Sequence, residues 1–154
     1  MLVHRAKIED LESVLFVINK SNSEAYRKII AKKYFKEPVL TMDELLEDFE
    51  RMSFYAYRIG KDTVGVAALK MLNDEVGQIR WVYILPEHQR KGVGTSLVNH
   101  VENEAVKMRL KKLRVLTNDN AYWAKTFYSK LGYKMVDKIP RPWGDDAIYE
   151  KTLT

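Results

Sequence analysis

The stretch Val82-Tyr83-Ile84-Leu85-Pro86-Glu87-His88-Gln89-Arg90-Lys91-Gly92-Val93-Gly94-Thr95 decides the fold of this chain. It begins as a strand rich in β-branched and aromatic residues, stops at Pro86, crosses a polar loop and enters a helix just after Gly92. Glycines at 92 and 94 let the backbone turn tightly and approach a ligand without Cβ obstruction. The first amides of the helix point, unpaired, at the same spot. Such a concavity binds phosphate through N–H groups and the positive helix end, with Arg90 and Lys91 adding charge. The alternative is a plain strand-to-helix turn whose glycines only relieve crowding. Neither common nucleotide-binding pattern fits, because the chain has no G-x-x-x-x-G-K-[ST] and no G-x-G-x-x-G after the strand.

Outward from this stretch, Phe54 to Ile59, Thr63 to Met71 and Val76 to Leu85 predict three consecutive antiparallel strands, with turns at Gly60-Lys61-Asp62 and Asn73-Asp74. Val93, Leu97, Val98, Val101, Ala105 and Met108 form the apolar stripe of the helix that follows. Leu113 to Thr117 is the next strand; Ala124, Phe127, Tyr128 and Leu131 mark a helix ended by Gly132. Tyr133 to Ile139 and Ala147 to Leu153 supply two final strands. Toward the N-terminus, Met1 to Lys7 predicts a short strand, and Ile8, Leu11, Leu15 and Ile18 a helix. Periodicity weakens from Ser21 to Pro38, until Thr41 and Glu44 form a capping box ahead of a helix from about Met42 to Met52. The order predicts an α/β fold: a mixed, mostly antiparallel sheet of six to seven strands with about four helices on its two faces.

The 154 residues fit one domain, 1–154, with no repeat or linker at which a second would begin. A hydrophobic fraction of 46% beside 31% charged residues supplies a real core, so a soluble globular protein is expected. No apolar run reaches membrane-spanning length and the N-terminus carries no apolar signal segment, so the expectation is a cytoplasmic protein that does not bind membranes. Zero Cys excludes disulfides, thiolate metal sites and a cysteine nucleophile. His4, His88 and His100 have no metal-ligand spacing, so no metal is expected; His88 falls in a polar loop and His100 on the outer side of its helix.

Gln89-x-x-Gly92-x-Gly94, preceded by Val-Tyr-Ile-Leu-Pro-Glu, resembles the acyl-CoA-binding motif of the GNAT superfamily of N-acetyltransferases. Ala124-Lys125-Thr126-Phe127-Tyr128-Ser129-Lys130-Leu131-Gly132-Tyr133 resembles that family's second motif. Both occur in the right order, on the predicted elements, across about residues 76 to 139. The resemblance implies a GNAT-like fold with strand four splayed from strand five, and acetyl-CoA as cosubstrate. It implies that the amides of Gln89, Arg90, Lys91, Gly92, Val93, Gly94 and Thr95 hold the coenzyme pyrophosphate, and that backbone groups of Val82, Tyr83 and Ile84 receive the pantetheine arm like an added strand.

Acetyl transfer needs a neutral amine, a donor for the developing oxyanion and a proton for the departing thiolate, near pKa 8.5. Without Cys, direct transfer in a ternary complex is the simplest route. By resemblance Tyr128 is the general acid and a backbone N–H at Val82 the oxyanion donor; packing on the sheet is the other role open to Tyr128. The family's usual base position falls on Gln78, which cannot take a proton, so a water relay, Glu24, Glu75 or an already neutral amine must serve. By strand parity Gln78, Arg80, Val82 and Ile84 share a face, so Gln78 and Arg80, with Glu24, are expected at the acceptor groove. Asn118 and Asn120 are both candidates for the pantetheine contact, since neither lies seven residues before Tyr128, and one of them can equally cap the helix.

The net charge of +5, with pI near 9.3, points to anionic partners. It sits in blocks: basic residues crowd 20–36 and 107–114, and acidic residues 41–50. Neither basic block interleaves aromatics in the manner of a nucleic-acid binder, so no nucleic acid is expected. Three functions follow: an acetyltransferase for a small amine such as a polyamine, which is favoured; one for a protein N-terminus or lysine; and a non-catalytic acyl-CoA sensor, kept open by Gln78. The family resemblance also makes a homodimer an expectation.

Overall fold

A computed structural model describes residues 2–153. Seven strands form one sheet in the order β1-β2-β3-β4-β5-β7-β6. They are β1 (Val3–Arg5), β2 (Ser53–Ile59), β3 (Asp62–Met71), β4 (Val76–Ile84), β5 (Lys112–Asn118), β6 (Lys134–Ile139) and β7 (Asp146–Thr152). Four helices accompany them: α1 (Leu11–Tyr26), α2 (Met42–Arg51), α3 (Val93–Lys107) and α4 (Tyr122–Lys130). All neighbouring strands are antiparallel except β4 and β5. The expected α/β architecture, strand count and helix count match this arrangement. Among the described residues no helix is long and apolar enough to cross a membrane.

Helix α1 packs over β3 and β4 on one face, and α3 packs over the same strands on the other. Val93, Leu97, Val98, Val101 and Ala105 of α3 are buried, as their stripe predicts, but Met108, also expected in it, lies past the helix end and is exposed. Gly65 on β3 makes that packing close: a Cβ there would meet Val93 at 2.8 Å and Leu97 at 2.9 Å. Thr41 caps α2 by accepting from the Glu44 N–H at 3.2 Å, and the Glu44 carboxylate accepts from the Thr41 N–H at 2.9 Å.

Three expectations are corrected. The first helix begins as a 3-10 turn at Ile8–Asp10 and runs on to Tyr26. Its last turns lack apolar periodicity because polar residues face inward: Ser21 Oγ donates to the Ile84 carbonyl at 3.0 Å and Asn22 Nδ2 to the Tyr83 hydroxyl at 2.8 Å. The first strand is confined to Val3–Arg5, and Met1 lies outside the described residues. His100 is not on an outer face; its ring packs against Tyr55 at 5.0 Å between centroids.

Candidate active site

The pairing of β4 with β5 runs only from Val76↔Lys112 to Ile79↔Val115. Beyond Ile79 the two strands part and a cleft opens. The same place is irregular on the β3 side: Ala68 pairs with Arg80 and Val66 with Tyr83, so Trp81 and Val82 together oppose Ala67. This is a β-bulge, and Trp81 takes the left-handed conformation at φ 54°. A bulky residue there is costly, on the order of 1–3 kcal/mol. The Trp81 side chain is anchored in compensation, its indole N–H donating to Asp48 Oδ2 of α2 at 2.9 Å.

The bulge inverts the expected parity. Gln78, Arg80 and Tyr83 share the α1 face, whereas Ile84 turns to the α3 face beside Gly65 and Gly94. Because Leu85 N–H donates to the Val64 carbonyl at 2.9 Å, alternation turns the backbone groups of Tyr83 toward β3 and those of Val82 toward the cleft. The Ile84 carbonyl also points away from β3, but Ser21 Oγ and Gln89 Nε2 already donate to it, each at 3.0 Å. Strand-like pairing with a ligand is therefore open to the Val82 groups and the Ile84 N–H, and the expected pairing through the Ile84 carbonyl and the Tyr83 backbone is corrected.

The strand-to-helix loop has the anticipated shape. Arg90 (φ 61°) and Gly92 (φ 82°) both adopt left-handed backbone, and Gly92 is the residue before the first turn of α3. The first helical bond runs from the Ser96 N–H to the Gly92 carbonyl, which leaves the amides of Val93, Gly94 and Thr95 free of intrahelical acceptors. Gln89 differs from expectation: its amide donates to the Pro86 carbonyl at 3.3 Å and its side chain to Ile84, so it fastens the loop to β4. Gly94 faces Phe127 of α4, whose ring atoms lie 3.2 and 3.3 Å from where a Cβ would stand.

A cavity of about 1130 Å³ joins the loop to the cleft. Of the residues expected from sequence, Gln78, Arg80, Val82, Tyr83, Ile84, Gln89, Arg90, Gly92, Gly94, Thr95 and Tyr128 line it. Val93 is buried in the core and reaches the loop through its backbone, while Lys91 is exposed outside the lining. Glu24 is not at the groove; it pairs with Lys20 at 3.2 Å on the surface of α1. Glu75 pairs with Lys111 at 3.5 Å, also outside the cavity. Asn118 and Asn120 do not line it either: Asn118 Oδ1 accepts from the Asn120 N–H at 2.8 Å, and both side-chain amides face Gly144. His88, expected in a polar loop, is half-buried, and its Nδ1 is enclosed without a partner among the described residues.

Other lining residues were not anticipated. Thr117 lines the cavity and its buried Oγ1 has no partner among the described residues. Tyr26, Trp123, Arg141 and Asp146 also line the cavity, and Arg141 Nε donates to Asp146 Oδ2 at 3.0 Å. Tyr128 is buried against Phe127 and Tyr133, with ring centroids 5.0 and 5.6 Å away. Burial first, and then the neighbouring Tyr26 and Tyr83 phenols, push its pKa well above the ordinary 10, so it stays protonated. Among the described residues no group of three His, Asp or Glu side chains could hold a metal ion.

The model of the acetyltransferase (GNAT) family matches residues 18–133, which include the splayed β4, the glycine loop and the Tyr128 helix. The chain belongs to the GNAT family. It is an acyltransferase that uses acetyl-CoA. It is 24% identical over 158 residues to a spermidine N(1)-acetyltransferase of Thermoplasma acidophilum, covering 97% of this chain and 95% of the relative. It is 27% identical over 122 residues to an amino-acid acetyltransferase of Yersinia pseudotuberculosis, covering 79% of this chain but 25% of that longer protein. The crystal structure of PaiA N-acetyltransferase from T. acidophilum in complex with coenzyme A superposes with a TM-score of 0.86 at 22% identity, covering 97% of both chains. The residues of this GNAT chain fit such a cosubstrate on their own geometry. The free amides of Val93 to Thr95 suit its phosphates, and the unpartnered Thr117 hydroxyl and turned-out Val82 groups suit an amide-bearing arm.

Proposed function

We propose that this protein moves the acetyl group of acetyl-CoA directly onto the primary amine of a small molecule. The observation that carries the reading is the Trp81–Val82 bulge, which turns the Val82 N–H into a cleft also lined by the protonated Tyr128 phenol. The Val82 N–H donates to the oxyanion that develops as the amine nitrogen bonds to the acetyl carbon. As the C–S bond breaks, Tyr128 donates to the sulfur; burial raises the basicity of that thiolate, which favours the proton's transfer. The proton lost by the amine replaces the one given by Tyr128, so the products are an amide and a free thiol.

Among the described residues the only carboxylate lining the cavity is Asp146, and Arg141 holds it. An amine that arrives neutral, or a water that relays its proton past Gln78, therefore fits better than a dedicated carboxylate base. The T. acidophilum relative supports a polyamine acceptor and the Y. pseudotuberculosis relative an amino acid. The test is release of free thiol from acetyl-CoA across amines of both classes. Amine-dependent release supports the reading; acetyl-CoA binding without release in the presence of any amine contradicts it in favour of a sensor.

A further inference from the structure

Three arginines among the described residues are half-buried: Arg58, Arg80 and Arg114. Arg58 is held by Asp10 and Arg114 by Glu150. Arg80 alone has no carboxylate within ion-pair distance among the described residues, although it lines the cavity. Its guanidinium carbon lies 5.4 Å from the centre of the Trp81 ring, and the nearby Asp48 carboxylate is engaged by the indole N–H. Its donors are open to the cavity and not tied to an anion of the described residues, so the guanidinium is free to receive one that enters. Its planar fork matches a carboxylate.

From this placement we infer that the amine acceptor carries a carboxylate, that Arg80 binds it, and that the substrate class is an amino acid rather than a polycation. The inference rests on the acetyl-transfer reading above and narrows it. Arg80 and Val82 are two residues apart, so at most roughly 7 Å of strand separates the anion-binding arginine from the oxyanion donor. A compact molecule with both groups spans that distance. A polyamine finds no free carboxylate among the described residues of the cavity wall, because Asp146 is neutralised by Arg141 at 3.0 Å. The acidic residues of α2, whose charge would suit a polycation, are partly spent elsewhere: Glu44 pairs with Lys36 at 2.9 Å and Asp48 with Trp81.

The experiment compares kcat/KM, by thiol release, for amines that differ only by a carboxylate: phenylalanine with phenethylamine, lysine with cadaverine, glycine with methylamine, and spermidine as the polycation. In at least one pair the acid exceeds its partner by about tenfold or more, the scale of a hydrogen-bonded ion pair, and exceeds spermidine. Arg80→Gln then raises KM for that acid about tenfold while kcat changes less, and Arg80→Lys recovers part of the loss. Preference for spermidine or for the decarboxylated partner in every pair overturns the inference, as does an unchanged KM in Arg80→Gln. Acetyl-CoA affinity measured by calorimetry separates the two levels. Normal affinity and amine-dependent release with the wrong preference removes only the role of Arg80, whereas no coenzyme binding removes the acetyl-transfer reading with it.

Discussion

The two ends of the cavity are built differently. The end proposed for the coenzyme comes from one continuous segment, Val82 to Thr95, with α4 laid against it, and it offers mainly backbone N–H groups. The wall proposed for the acceptor is assembled from Tyr26 on α1, Gln78 and Arg80 on β4, and Arg141 and Asp146 at the β6–β7 connection, and it offers side chains. A site made of backbone is set by the path of the chain, so it is damaged by bulk and left alone by most changes of charge. A site made of side chains is set by charge and hydrogen bonding, so one substitution can redirect it.

The largest effect expected from this contrast is at the coenzyme end. Gly94→Trp drives an indole into the space where Phe127 stands 3.2 Å from a Cβ, and abolishes the rise in melting temperature that acetyl-CoA gives the native protein. Retained stabilisation would place the coenzyme elsewhere. Next, Tyr128→Phe removes the proposed proton donor and lowers kcat by about a hundredfold, with coenzyme affinity nearly unchanged. An unchanged kcat would reduce Tyr128 to a packing residue. At the acceptor end the changes are electrostatic and smaller. Asp146→Asn releases Arg141 and lowers KM for a carboxylate-bearing amine by about 2- to 5-fold, the scale of an exposed ion pair. A higher KM would mean that Asp146 itself faces the substrate.

The smallest effect concerns pH. Because burial raises the Tyr128 pKa above its ordinary 10, the acid form persists through that value, and kcat shows no descending limb up to about pH 10. A fall centred near pH 8 or 9 would contradict the assignment.

The same contrast explains what was legible in the residues. The glycine loop could be found because its parts are adjacent and its chemistry needs only Gly92, Gly94 and a helix start. The stripe of α3 and the order of the strands follow from plain periodicity. The bulge left no local mark: Trp81 holds a positive φ that ordinarily signals glycine, and the inserted residue turned Ile84 to the opposite face from Arg80. The end of α1 was obscure because Ser21 and Asn22 point polar groups inward to partners more than 60 residues away. Thr117 gave no signal beside the more conspicuous Asn118, which is used to join the end of β5 to the Asn120 turn. Arg80 was visible as a groove residue, but its lack of a partner emerges only when Asp10 and Glu150 are seen to satisfy Arg58 and Arg114.

The central claim is that free backbone amides on both sides of the Gln89 loop hold the acetyl donor. Residue-level amide hydrogen exchange, with and without saturating acetyl-CoA, tests it most directly. The predicted result is strong slowing at Val82, Val93, Gly94 and Thr95, with little change at Gln89, whose N–H is already engaged by Pro86. Coenzyme binding that leaves those four amides exchanging at their original rates would contradict it.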